Sequence, residues 1–340
     1  MAPGQKSIER ALVFLAAGQA ACGQIPVRTG LQMTIDETTD DPAIFATALV
    51  AEALDPIEHR LAASTRRRAA AYLRSHMEEP GVWRHWTRVH PQYHALPPDL
   101  DDTACASVVL RHAGLPFPDN RALLLGNRDA GGRFFTWLVV RRGSGVPSRA
   151  LWRIAARRLA RPVHARLFWR TSAEPGDVDG IVNLNVLAYL GDGPHAGPVV
   201  RYARQILEDG REAECDSWYR SPFLFYAGLG RCVAAGVGGL SELAPTVRER
   251  IGAAAGSDGQ IGEGPLDTAL ALRALVDLGI EDALCGRASR YLEATQQDDG
   301  GWSAAPVYFG GPRHHPDVPC WGSRELTTGI CVGALARVPD

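Results

Sequence analysis

Pro97-Pro98-Asp99-Leu100-Asp101-Asp102-Thr103-Ala104-Cys105-Ala106-Ser107-Val108-Val109-Leu110 decides the fold. Two prolines end whatever precedes, three carboxylates follow, and an apolar run with helical spacing begins at once. The acids are therefore predicted on the first turn of a helix. Asp99 stands as an N-cap, and Asp102, three residues on, shares its face of the turn. Asp101 is about 200° round from Asp99 and points elsewhere. Capping alone could account for all three, since carboxylates favour the positive end of a helix. What surrounds them decides whether they do more.

Counting from Thr103 to Leu110 gives a frame that recurs at residues 47–54, 183–190, 222–229, 268–275 and 328–335. A second helical segment precedes each copy, at 8–17, 65–77, 148–161, 199–208, 243–255 and 282–295. Several of these end in glycine turns: Gly81, Gly259, Gly262 and Gly300-Gly301. Period-2 alternation is scarce, so few strands are expected. Six helical hairpins that cannot bury their faces alone close on one another. The expectation is an all-α chain forming a six-hairpin α/α barrel. It is read as a single domain over residues 1–340, nearly all helix, with a loop-rich insertion near 112–147 that has room for one short helix.

Phase assigns the faces. Thr103, Ala106, Ser107 and Leu110 are small or apolar, as are their equivalents, so that stripe should pack on the outer helices. Asp101 lies on the opposite side, which in an inner helix is the lumen. Ala104, Cys105 and Val108 are expected below it. The matching positions are Phe45 and Leu49, Ile181 and Asn185, Arg220 and Phe223, Leu266 and Leu270, and Leu326 and Ile330. The inferred lumen is mostly apolar, with one acid near its mouth.

Composition narrows the function. The net charge of −2 exerts no pull toward nucleic acid. No apolar run approaches the roughly 20 residues of a membrane span, which leaves only peripheral access to lipid. The first nineteen residues read as an amphipathic helix rather than a signal peptide, so a cytoplasmic location is expected. Seven cysteines without a Cys-x-x-Cys pair read as reduced thiols with no zinc site. Lys6 is the only lysine, which excludes a P-loop and leaves little room for Schiff-base chemistry. Oligomeric state is not legible.

Asp99-Leu100-Asp101-Asp102-Thr103-Ala104 resembles the Asp-x-Asp-Asp motif of class II terpene cyclases, and Gln297-Asp298-Asp299-Gly300-Gly301-Trp302 resembles the Gln-Trp repeat of the squalene–hopene cyclase superfamily. The resemblance spans most of the chain. With room for one barrel and a single strong Gln-Trp element, the chain looks most like the single-domain cyclases of the merosterolic acid synthase type, which close isoprenoid chains attached to aromatic acids. The resemblance implies a linear isoprenoid substrate and a catalytic set of Asp101, Asp99 and Asp102, with Asp101 as the general acid. It implies no metal or other cofactor, magnesium entering only if the substrate carries a diphosphate.

Repulsion and desolvation should raise Asp101, while Asp99 and Asp102, held by backbone N–H groups, should stay charged. Cationic intermediates want aromatic faces. Candidates are Phe45, Phe223, Trp218, Tyr219, Phe134, Trp137, Tyr308, Phe309 and Trp321, with Trp302 read rather as a tie between helices. Arg220 or Arg273 could clamp a charged head group.

Weaker features are an acidic loop at 36–40, expected to be solvated, and caps at Asp177, Asp179, Glu214 and Asp216. His314-His315 with Cys320 is read as loop. One of His85, His90 and His94 could orient an acid. Two rival readings stand beside the cyclase: a prenyl- or lipid-binding barrel without catalysis, and a carboxylate-dependent glycosidase on the same scaffold.

Overall fold

A computed structural model describes residues 3–141, 149–159, 173–311 and 317–339. About half the chain is helical, and the described residues form thirteen α-helices. Six recur at the frame positions: α2 (Phe45–Ala53), α4 (Leu100–His112), α7 (Gly180–Leu190), α9 (Pro222–Ala234), α11 (Pro265–Asp277) and α13 (Arg324–Leu335). Each packs on the next, and α13 returns to α2. A second set precedes them: α1 (Pro3–Gly18), α3 (Arg60–His76), α6 (Arg149–Leu159), α8 (Ala196–Glu208), α10 (Ala244–Ala253) and α12 (Ala283–Thr295). Of these, α1 packs on α13, α3 on α2 and α4, α8 on α7, and α10 and α12 on α11. The insertion holds one short helix, α5 (Arg121–Leu125).

One local device repeats. The backbone N–H of a turn residue donates to the polar residue that opens the frame: Ile25 to Thr47, Trp83 to Thr103, Phe134 to Asn183, Ile261 to Thr268 and Trp302 to Thr328. Two residues before each donor sits a glycine at positive φ, a region that costs other residues strain. At Gly300 a Cβ would also lie 2.5 Å from the Arg10 carbonyl oxygen of α1. These bonds explain why Thr or Asn recurs on an otherwise apolar face: each answers a buried backbone donor that would otherwise go unpaired. The fourth hairpin lacks the device. Its frame starts at Pro222, and Ser221 caps the helix instead by accepting from the Phe223 N–H.

Trp83 makes the same tie as Trp302, although no glutamine closely precedes it. Its indole donates to the Leu73 carbonyl of α3 at 2.7 Å, as that of Trp302 donates to Leu292 of α12 at 2.9 Å. Both are fully buried, and each ties a frame helix to the helix before it. The shared signal is Gly-x-Trp before a frame threonine.

The chain is not nearly all helix. Four strands form an antiparallel sheet in the order β2-β1-β4-β3: β1 (Arg28–Leu31), β2 (Thr34–Asp40), β3 (Pro306–Phe309) and β4 (Pro319–Gly322). It joins the α1–α2 connection to the α12–α13 connection, tying the two ends of the chain together. Three of the strands have four residues, too few for an alternation to register. The hairpin turn between β1 and β2 is Gln32-Met33, with φ of 51° and 69°, where Asn or Gly would have signalled it. The acidic segment 36–40 is therefore strand rather than loop.

Candidate active site

Asp99 caps α4: its Oδ1 accepts the Asp102 N–H at 2.7 Å. Its own N–H donates to the Trp83 carbonyl, and the Leu100 N–H donates to Thr136. Two connecting segments thus seal the start of α4 from water. Asp99, Asp101 and Asp102 keep only 4, 8 and 3% of their surface exposed, so the whole cluster is buried and Asp101 is its most open member. Asp101 Oδ2 accepts from the Tyr219 hydroxyl, and Oδ1 accepts from Asn185 Nδ2 at 2.5 Å.

Burial raises Asp101 to about 6, against the two hydrogen bonds and the Arg231 charge, which favour its carboxylate. Asp99 is raised further, by burial and then by the Asp101 charge, and Asp102 lies well above the usual carboxylate range for the same reasons. This corrects the expectation that Asp99 and Asp102 stay charged. Asp99 alone caps, and Asp102 Oδ1 has no hydrogen-bond partner among the described residues. Burial and the Asp101 charge push the Tyr219 phenol far above its ordinary range, so it remains a neutral donor.

The three carboxylates border a cavity of about 450 Å³. Its wall is aromatic: Phe45, Trp86, Trp137, Trp218, Tyr219, Tyr308, Phe309 and Trp321, with His85 among them. Tyr308 stacks on Trp321 at 5.5 Å, and Trp137 meets Trp218 edge-on at the same distance. Asp41, which the sequence reading missed, anchors this wall. Its Oδ2 accepts from both indoles, Trp86 at 3.1 Å and Trp321 at 2.7 Å. Among the described residues, no lysine or arginine lines the cavity.

On the other side of Asn185 and Tyr219 from the cavity, little space is left. A space of about 40 Å³ remains, lined by Phe45, Leu49, Ile181, Asn185, Leu270 and Ile330 together with Arg231 and Arg273. The lining is mostly apolar, with two arginines among it that the sequence reading did not place there. Glu52, Arg231, Arg273, Asp277 and Arg337 form a buried ionic network at the base of the lumen. Glu52 is held at about 2: burial would raise it, but Arg231 and Arg273 outweigh burial. Arg273 is committed there and does not reach the cavity.

Of the other predicted pocket residues, Phe45 and Trp218 line the large cavity. Ala104, Cys105, Val108, Leu266 and Leu326 are buried but line neither space. Phe223 packs against the Gly262 turn, because α9 starts at Pro222 and its first turn sits above the lumen; Leu224 and Arg231 face inward instead. The Arg220 guanidinium lies over the Phe309 ring at 4.4 Å.

The secondary features resolve differently. His85 meets Trp86, Tyr308 and Trp321, and burial pushes it down to about 4. Its charged neighbours are Asp41 and His90, not the acid cluster. Asp36 spends its carboxylate on Thr38 and Thr39. Asp179 does not cap α7: it accepts from Thr136 and Ser217, while Asp216 reaches across to the Ile181 N–H. His314 and His315 lie outside the described residues. Among the described residues, no three His, Cys, Asp or Glu side chains are grouped to hold a metal ion. No helix there is long and apolar enough to cross a membrane.

No family model matches the chain, and no curated protein matches it. Solved structures do. A protein from Actinoplanes is 19% identical with a TM-score of 0.72, the match covering 98% of this chain and 99% of that one. The type II terpene cyclase MstE from Scytonema, without ligand, is 16% identical with a TM-score of 0.68, covering 99% of this chain and 98% of that one. An MstE variant with one aspartate replaced by asparagine, in complex with the substrate geranylgeranyl dihydroxybenzoate, is 15% identical with a TM-score of 0.68, covering 98% and 96%. At these identities the likeness is one of fold, and the chain has the fold of a type II terpene cyclase along nearly its whole length.

Proposed function

We propose that this protein is a class II, protonation-initiated terpene or meroterpenoid cyclase acting on a linear isoprenoid chain, with Asp101 as general acid. The ring of α2, α4, α7, α9, α11 and α13 is read as the inner layer of a six-hairpin α/α barrel. The observation that carries the reading is the juxtaposition of three buried carboxylates with an aromatic-walled cavity of about 450 Å³.

The chemistry follows from that juxtaposition. Three adjacent carboxylates in a dry site cannot all ionise, so the cluster retains protons near neutral pH. An apolar chain filling the cavity displaces water and favours the neutral acid further. The Asp101 O–H bond breaks, its electron pair stays on the carboxyl, and the proton adds to the less substituted carbon of the terminal alkene, leaving a tertiary cation, or to an epoxide oxygen. The next double bond supplies the electrons for each ring closure, and the last cation gives up a proton to a base, so the product keeps the mass of the substrate. Indole and phenol faces stabilise the moving cation by about 0.5–2 kcal/mol each and offer it no strong nucleophile. Tyr219 and Asn185 hold the conjugate base. No step calls for a metal unless the substrate carries a diphosphate.

A lipid-binding barrel would leave the cost of burying three acids unexplained. A glycosidase would need a polar cleft, whereas this wall is aromatic. The test is incubation with linear chains of three, four and six isoprene units, as alcohols, diphosphates and aryl conjugates, followed by chromatography and mass spectrometry. A product of unchanged mass and altered retention is expected; none from any chain would overturn the reading.

A further inference from the structure

We propose that Asn185 and Arg231 are positioning residues for Asp101, and that they confine its transferable proton to Oδ2. The inference rests on the reading of Asp101 as the general acid.

A guanidinium carries donors only, and an amide nitrogen can only donate. Arg231 Nη1 donates to Asn185 Oδ1, so that oxygen is fixed toward Arg231 and Nδ2 toward Asp101 Oδ1. A hydrogen on Asp101 Oδ1 would oppose the amide hydrogen. That oxygen stays a pure acceptor in both charge states. Arg231 cannot turn away, because Glu52 grips it with two bonds, Nε to Oε1 at 2.8 Å and Nη2 to Oε2 at 2.5 Å. Glu52 also accepts from Arg273 at 3.0 Å, and Arg273 is anchored on Asp277. A continuous polar chain thus runs from the base of the lumen to the acid.

Oδ2 has a different partner. The Tyr219 hydroxyl can accept from a protonated Oδ2 and donate to an ionised one, so losing the proton requires only a hydroxyl rotation. Tyr219 borders the large cavity as well as the small space below, whereas Asn185 borders only the small one. The proton therefore sits on the oxygen nearer the substrate. When Oδ2–H breaks, the proton forms the new bond at the substrate and the carboxylate keeps two donors in place; water returns the proton after turnover.

The charged and titratable groups around Asp101 are Asp99, Asp102 and Cys105 from α4 and its approach, Asp179 before α7, Asp216 and Tyr219 before α9, and Arg231 with its partner Glu52. Arg231 favours the Asp101 carboxylate by its charge, and it also fixes Asn185.

Infrared difference spectra test this without turnover. The carboxyl band of Asp101 is titrated in each protein by subtracting the matching Asp101→Asn form. Arg231→Met and Asn185→Leu should each move the titration up by about one pH unit, because the carboxylate loses a fixed donor. Arg337→Met, at the far end of the network, removes a buried cation without touching Asn185 and should leave the titration in place. If Arg231→Met does not fold, Asn185→Leu, which keeps every ion pair, carries the test. An unchanged titration in the variants that fold, or an equal shift in Arg337→Met, overturns the proposal. Because the band reads Asp101 directly, failure of the cyclase reading would show separately, as cyclisation by Asp101→Asn.

Discussion

The two ends of the lumen treat buried charge in opposite ways. At the base, Glu52 meets Arg231 and Arg273, and Asp277 meets Arg273 and Arg337, so every carboxylate has a cation. At the mouth, Asp99, Asp101 and Asp102 lie beside aromatic rings, and none of them forms a salt bridge among the described residues. Both ends are largely withdrawn from water, the mouth more fully than the base. The base is built to keep its charge; the mouth is built so that neutral acid is the comfortable state. That difference marks the mouth as the place where a proton can be given away.

Breaking the base should have the largest effect on stability. Glu52→Ala leaves Arg231 and Arg273 buried without their shared partner and should cost about 3–5 kcal/mol by denaturant unfolding. Next comes the wall of the mouth. Asp41→Ala removes the acceptor of two indoles, at a cost of about 2 kcal/mol, and should lower turnover severalfold as Trp86 and Trp321 lose their fixed orientation.

The smallest effect carries the opposite sign. Asp102→Asn should stabilise the protein by about 1–2 kcal/mol at pH 8. The folded pKa values at the mouth are raised, so their stabilisation is complete below the unfolded value of 3.8 and is lost as pH rises through about 6 for Asp101 and about 7 for Asp99. Glu52 is lowered, so its contribution is present above 4.5 and lost as pH falls toward about 2. A melting series should therefore show Asp102→Asn flattening the loss between pH 4 and pH 7 while leaving the acid limb unchanged.

Much of the mouth was legible and little of the base was. The acid motif, the hairpin frame and Trp302 are local signals, each fixed by neighbours within a few residues. Asp101 could be assigned to the inner face from phase alone. Glu52 and Arg231, 179 residues apart in sequence, carry no such signal. Each is the only charged residue on a mostly apolar helix, but nothing nearby in sequence names its partner, and only closure of the ring brings them together. Phe223 was misread because the frame on α9 begins a turn early, at a proline that cannot supply the threonine bond of the other hairpins. The sheet was missed because its strands are short and its hairpin turn uses Gln32 and Met33. Asp41 was passed over as the end of an acidic run, since nothing in the sequence links it to two distant tryptophans.

The most direct measurement is the product of Asp101→Asn, followed by mass spectrometry on an isoprenoid chain that the native protein cyclises, with the melting temperature taken alongside. The substitution keeps the shape of the side chain and removes the acid at the cavity wall. Cyclised product should be absent, with the melting temperature unchanged or raised as repulsion with Asp99 and Asp102 is relieved. Cyclisation at a rate comparable to the native protein, or loss of the fold, would contradict the assignment of Asp101 as the proton donor.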